Sequence, residues 1–487
     1  MSLIKNIIVL GDNEHAWFSA AILAFNCPWL QVAVVGEQGN ENGFYAASTR
    51  SDLQHFFGVI GLPWQELLFS ASATYKLANQ YVNCGKNKRD FFHSYGVYGA
   101  DFGLFEFHQI VKAFDSFLAI ENYDAYSLES QAAKAGKFIV DHESAWGLHY
   151  DRMALYHLLK IYAQKLGVIT ICEKIIASDF EGVGGTKTSV TTEGGIYRAD
   201  FYIDARPVDL SKLNSDGAGV CSWLNGDLSE WCLTAHLEEH KVYLPATEYR
   251  RIGSRYWIKK IPLQSKTVVE LYGIGLVPQQ NYSDVFSALG YTINTGSARL
   301  VNLNSGRRKS FWNGNCLAVG EASAALGNLP FPALDITRFQ MEKFLMYFPE
   351  KEQNCNLVAE YNRISTQAVD SVLNYHRFIF SVLLKDDFIA DGFENFPAAL
   401  RDRIELFMST GRYEFCENDL IPKDEWISLF MGLGVAISRH DPLIGVDESA
   451  KLVELLKSIN AGLVKTAAEM PNHLIFLSQF IQSKNMR

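Results

Sequence analysis

The sequence predicts an α/β fold: a nucleotide-binding, Rossmann-like domain interleaved with a β-rich module and closed by a helical C-terminal region. Three observations predict it. The N-terminus reads strand, glycine turn, helix, strand, acidic residue. Short β-branched runs recur through the middle of the chain. From about residue 338 the apolar spacing turns helical.

Lys5–Leu10 (KNIIVL) is an unbroken apolar run, as expected of a strand buried on both faces. Gly11-Asp12-Asn13 is a turn, Ala16–Phe25 a helix and Leu30–Val35 a second strand ending at Gly36-Glu37. This is the order of a dinucleotide-binding βαβ unit. The three glycine positions of that turn fall on Gly11, Asn13 and Ala16, so only the first is glycine. The segment alone leaves an ordinary βα turn and a cofactor turn both open.

Leu53–Phe69 reads as helix with a break at Gly61-Leu62-Pro63. Phe91–Phe117 mixes aromatics and glycines and carries no clear period. Met153–Leu166 is an amphipathic helix. Gly167–Cys172, Lys187–Thr192, Ala199–Asp204 and Cys316–Val319 read as strands, with a turn at Gly194-Gly195. Gln340–Phe348, Cys355–Leu384 and Lys451–Lys465 show helical periodicity.

The bulk numbers exclude several classes. A chain of 487 residues with 48% apolar and 20% charged content can bury a core without disulfides. The net charge of −10 and a pI near 5.7 argue against a general nucleic-acid or anionic-membrane role. No apolar stretch approaches the ~20 residues of a membrane span. Eight cysteines without a CxxC pair read as reduced core thiols, which suits a cytoplasmic location. The opening MSLIKNIIVLGDNEHAW lacks the layout of a signal peptide. His15, His93, His149 and His376 have no metal-ligand spacing and are expected to be structural.

Later segments carry a resemblance. Ala73–Gly85 (ATYKLANQYVNCG), Gly147–Arg152 (GLHYDR) and Ala199–Ala205 (ADFYIDA) come first. Trp257–Leu263 (WIKKIPL), Gly306–Gly320 (GRRKSFWNGNCLAVG) and the Tyr361–Arg363 and Asn374–His376 segments follow in order. Together they resemble the flavin-dependent tryptophan halogenases along essentially the whole chain. The resemblance implies an FAD-binding Rossmann-like domain of the flavin monooxygenase/halogenase type. That domain would span 1–340, with a substrate module inserted at approximately 50–150 and 205–300, and 341–487 would form the helical C-terminal region.

It also implies a chemistry. Reduced FAD, supplied by a separate flavin reductase, reacts with O₂. Halide is oxidised to hypohalous acid, which passes through a tunnel to a lysine beside a small aromatic, indole-type substrate. A glutamate helps to take the ring proton. Lys76 falls on the catalytic lysine. Gly11, Asn13, Ala16, Glu37, Gly320, Glu321 and Ala322 fall on cofactor-binding positions, and Trp257, Lys259, Pro262 and Phe331 on the substrate and tunnel side. Many relatives are dimers, so a homodimer is compatible with the resemblance.

Several chemical positions depart. The glutamate becomes Pro330, and the Ser-Thr pair at the halide site becomes Phe331-Pro332, where Pro332 removes a backbone donor. Asp335 could replace the lost carboxylate only in a rebuilt loop. The second tryptophan of WxWxIP is Lys259, which would open and charge the flavin wall or turn outward. Tyr45 and Ala46 replace a flavin-contacting glycine and glutamate, and Arg206-Pro207 replaces Ser-Gly. Arg307 and Arg308 could attract phosphate or be solvated.

Two readings follow. One is an FAD-dependent oxidoreductase or monooxygenase acting on an indole-like or other electron-rich aromatic substrate. The other is a catalytically degenerate relative that binds an aromatic ligand or partner with weak or no flavin. An aromatic hydroxylase using the opening at Lys259 is a third.

Overall fold

The computed structural model describes residues 3–38, 43–84, 89–114, 123–140, 144–181, 186–207, 220–222, 229–239, 244–278, 281–303, 305–326, 331–352, 354–385, 393–444 and 449–485. They form two compact units. The first comprises Met1–Ala73, Tyr150–Thr234 and Arg299–Leu373, the second Thr74–His149, Ala235–Ala298 and Asn374–Arg487.

The first unit is built on a βαβ start: β1 (Asn6–Asp12), α1 (Glu14–Asn26) and β2 (Gln31–Gln38). β1 pairs in parallel with β2 on one side and with Phe201–Asp204 on the other, setting Leu10 opposite Asp204. Ile169–Ile171 extends one edge of this sheet, and Cys316–Ala318 with Trp312–Asn313 extends the other. The alternation of β1 decides its two faces. Ile8 and Leu10 pack with Val35, Val190 and Tyr202, so they meet the antiparallel layer Ile175–Glu181, Thr186–Thr192 and Ile196–Tyr197. The opposite face is covered by α1, which lies beside helices Arg152–Lys165 and Ala333–Met346. Gly36 has a tight reason to be glycine, because a Cβ there would meet Asp12 N and Gly11 C at 2.8 Å.

The second unit is organised by a mixed sheet in the order Thr267–Gly273, Tyr256–Pro262, Ala246–Ile252, Ala78–Cys84, Arg89–Ser94. The pairing of 246–252 with 78–84 is parallel and the rest antiparallel. Register places Tyr81, Tyr249, Lys259 and Glu270 in one cross-strand row. The helices of this unit include Phe107–Ala113, Leu128–Lys134, Ala398–Thr410, Lys423–Leu433, Ser449–Glu469 and His473–Asn485. No helix among the described residues is long and apolar enough to cross a membrane.

The cysteine expectation needs correction. Cys27, Cys84 and Cys232 are buried, but Cys172, Cys355 and Cys416 are exposed. Exposed thiols are not core fillers, so their role is not packing.

Candidate active site

The β1–α1 turn begins at Gly11, whose φ of +111° is open to glycine and strained for other residues. Asn13 is the N-cap of α1. Its side-chain oxygen accepts from Ala16 N–H at 2.9 Å, and its amide donates to the Ala205 carbonyl at 2.7 Å. Ala16 is fully buried in the first turn of the helix. Asp12 turns inward, accepting from Trp17 Nε1 (2.5 Å) and the Tyr156 hydroxyl (2.8 Å), with Lys160 at 3.1 Å. Glu14 is buried and takes a bidentate bond from Arg152, with Nη2 at 2.5 Å. Glu321 lies 3.6 Å from the same guanidinium. Two carboxylates therefore flank Arg152 and hold its pKa above the ordinary range against the cost of burial.

Glu37 is exposed at the end of β2, where an acidic side chain can meet ribose hydroxyls. Gly320 lies against the buried His15, which bonds to Thr337 Oγ1 at 2.8 Å. Ala322 is buried, and its carbonyl accepts from Arg308 Nε at 2.7 Å. Phe331 is buried under the Arg50 guanidinium at 4.9 Å. Pro332 is the N-cap of the next helix. The Tyr45 ring carries Arg299 at 4.6 Å, and Ala46 is fully buried. Pro330 lies outside the described residues.

This turn does not fit a dinucleotide pyrophosphate in the Rossmann manner. That pose needs a bare backbone at the second glycine and free N–H donors at the helix start. Asn13 puts a doubly bonded side chain at that point. Glu14 already sets a carboxylate in the helix's first turn, where the dipole would otherwise favour a phosphate. Glu37 keeps an exposed acidic side chain at the end of β2, the position from which such a pose would meet a ribose.

In the second unit Lys76 ends the short strand Thr74–Lys76, opposite Gly147. It is fully buried, and its ammonium donates to the Tyr95 hydroxyl at 2.8 Å, 5.2 Å from that ring's centre. A lysine at a strand end is ordinarily solvent-exposed, and this one is not. Neighbouring Tyr75 stacks on Phe138 at 4.0 Å. Thr74 donates to the Pro262 carbonyl and is 3.1 Å from His149, whose other ring nitrogen is 2.9 Å from Thr247 Oγ1. Burial and then the positive charges of Lys76 and Lys259 hold His149 well below the usual histidine range. Both effects favour its neutral form.

Lys259 neither turns outward nor leaves a bare charge in the wall. It is 2% exposed, and its ammonium stands 3.6 Å from the fully buried Glu270 on the adjacent strand. Tyr272 donates to Glu270 at 2.8 Å. Trp257 is face to face with Tyr272 at 3.9 Å and edge-on to Phe380, a closed aromatic stack. Pro262 lines a separate cleft of about 450 Å³ with Tyr291, Lys260 and Glu248. Asp335 is buried at the start of its helix, its pKa pushed up to about 6 by burial and only partly countered by Arg338.

Sequence reasoning missed Tyr95, Glu270 and the Glu14–Arg152 pair. Glu270 had a signal: a lone carboxylate in the strand TVVELYG demands a buried partner. Arg307 and Arg308 are not solvated, since Arg307 forms a bidentate pair with Asp370 and Arg308 reaches Ala322. Among the described residues no group of three or more His, Cys, Asp or Glu could hold a metal.

Comparison with known proteins gives consistent matches. A profile of the tryptophan halogenase family matches residues 6–448. The tryptophan 6-halogenase SttH of Streptomyces toxytricini is 21% identical, over 91% of this chain and 92% of that protein. The structure of BrvH, a flavin-dependent halogenase from Brevundimonas sp. BAL3, superposes with a TM-score of 0.88 at 22% identity, over 98% of this chain and 99% of that one. Xcc4156, a flavin-dependent halogenase from Xanthomonas campestris, gives 0.89 at 20% identity, over 98% of each chain.

Proposed function

This chain belongs to the tryptophan halogenase family, and from that premise we propose that it binds an indole-like or other electron-rich aromatic compound beside Lys76 while holding FAD weakly or not at all. One observation carries the reading: Asn13 ties off both the helix N–H and the Ala205 carbonyl at the turn where the pyrophosphate would lie. The buried Lys76 ammonium, oriented by Tyr95, supplies a cation for an aromatic face. The test is titration with FAD followed by flavin fluorescence. Unchanged fluorescence up to high micromolar FAD, with saturable binding of tryptophan or indole, is the expected result. A yellow protein that retains stoichiometric FAD through purification would refute it.

A second reading has its own support. A fully buried lysine at the family's catalytic position favours an FAD-dependent oxidoreductase, served by a separate reductase and acting on the same ring class. Product mass with and without bromide separates halogenation from hydroxylation, and no product with supplied reduced flavin removes this reading. Cytoplasmic residence and a homodimer belong to the same proposal.

A further inference from the structure

Asn79 lies on the strand Ala78–Cys84 of the second unit, three positions after Lys76. Register sets it between His93 on one neighbouring strand and Thr247 on the other, all three on one face of the sheet. Tyr95, which holds the Lys76 ammonium, follows His93 by two positions. Asn79 is 1% exposed, and its side-chain oxygen has no hydrogen-bond partner among the described residues. The hydroxyl of Tyr81, fully buried two positions along the same face, has none there either. A buried acceptor of this kind costs free energy until something donates to it.

The cross-strand neighbours have their protons committed elsewhere. Thr74 Oγ1 donates to the Pro262 carbonyl at 2.6 Å, so at 3.1 Å it accepts from His149 Nδ1. The neutral His149 ring then presents a bare Nε2, and the Thr247 hydroxyl donates to it at 2.9 Å. Thr247 has no second proton for Asn79. On the other side, His93 Nε2 lies 3.0 Å from the Glu425 carbonyl. A carbonyl only accepts, so Nε2 carries the ring proton. His93 Nδ1 faces the Tyr375 hydroxyl at 3.5 Å. The row His93–Asn79–Thr247 therefore holds an oriented acceptor and no donor for it, beside the Tyr95-held ammonium. A ring N–H would complete it. Sites built around such a bond reject analogues that lack the donor, because the buried acceptor is then left unpaired.

We propose that Asn79 is a specificity-determining residue of the site at Lys76: its side-chain oxygen accepts a hydrogen bond from the ring N–H of the aromatic ligand. The assignment rests on the aromatic-binding reading above and narrows it to N–H heteroaromatics. Calorimetric titration of the full chain with indole and with benzofuran, which keeps indole's outline but has oxygen in place of the N–H, tests it. Indole should bind about tenfold more tightly, the worth of one hydrogen bond to an acceptor otherwise left unpaired. Asn79→Leu keeps similar bulk without the acceptor and should lose most of that preference. Asn79→Ala gives the same reading where leucine hinders the ligand. Both variants remove an acceptor that the fold leaves without a donor, so both should fold, and melting temperatures check this. Equal binding of indole and benzofuran by the parent, or a preference that survives in both variants, would overturn the assignment and leave the aromatic-binding reading standing. Binding of neither compound by the parent would overturn that reading and this assignment together.

Discussion

Asn13 and Ala205 are joined by a 2.7 Å hydrogen bond that runs from the loop before α1 to the end of the strand Phe201–Asp204. The bond spans the mouth of the sheet where β1 is flanked by strands on either side, which is where ligands enter open α/β folds. Replacing Asn13 by glycine removes the span and the helix cap together. The cost in stability should be about 1 kcal/mol, a hydrogen bond plus a few tenths for the cap. FAD affinity should rise. Fluorescence titration of Asn13→Gly beside the parent chain reads this, and equal affinities would show that the cap is not what limits flavin.

Lys259 and Glu270 form a buried pair in which each answers for the other's charge. Removing one partner strands the other, so Lys259→Met and Glu270→Gln should each cost about 3–5 kcal/mol. The double variant should be far less destabilised than their sum, because an apolar or neutral pair carries no desolvation debt. Chemical denaturation of the four proteins of this cycle decides it. Additive losses would mean that the two side chains do not interact across the strands.

The same pair shows where sequence reading ran out. The fold was largely legible because period and punctuation are local. The helix Cys355–Leu384 was read end to end, and the break before Pro63 separates Leu53–Gly58 from Gln65–Ser70. Phe91–Phe117 resisted because aromatics suit strand and helix alike, and its described residues include the strand ending at Ser94 and the helix Phe107–Ala113. The helix placed at Gln340 begins at Ala333: its N-cap, Pro332, has no side-chain acceptor to mark the start, and Asp335 in the first turn was the one polar signal there. Partners of the candidate site were not legible. Lys259 meets Glu270 only through strand register, and Asn13 meets Ala205 across 192 positions. A residue's position can be read along the chain, but its charge partner is set by packing.

His473 gives a pH prediction. It is fully buried against Tyr75 and Phe138, both ring nitrogens lack a hydrogen-bond partner among the described residues, and burial pulls its pKa from 6.5 down to about 4. The unfolded chain therefore takes up a proton near 6.5 while the folded chain resists until about 4. This contribution is complete above 6.5 and is lost as pH falls toward 4, to the extent of roughly 3 kcal/mol. His376, pushed down to about 3 by burial and Lys259, acts in the same direction. His473→Phe should raise stability at neutral pH and flatten the decline between pH 6.5 and 4. Melting temperatures across that range check it, and a parallel decline in both proteins would assign the acid sensitivity elsewhere.

Lys76 separates a structural from a functional role by size and charge. Methionine matches its length without the ammonium, so Lys76→Met should change stability by less than ~1 kcal/mol, since buried charges are often replaced at little cost. Lys76→Ala leaves a cavity and should cost about 2–3 kcal/mol. If the ammonium serves an aromatic ligand, Lys76→Met should weaken tryptophan binding about fivefold while melting as the parent does, the loss of one desolvated cation–π contact. Calorimetric titration of both variants measures this. A methionine variant that binds tryptophan as the parent does, or one that unfolds more readily than the alanine variant, would make the Tyr95-held ammonium a structural element and remove it from the site.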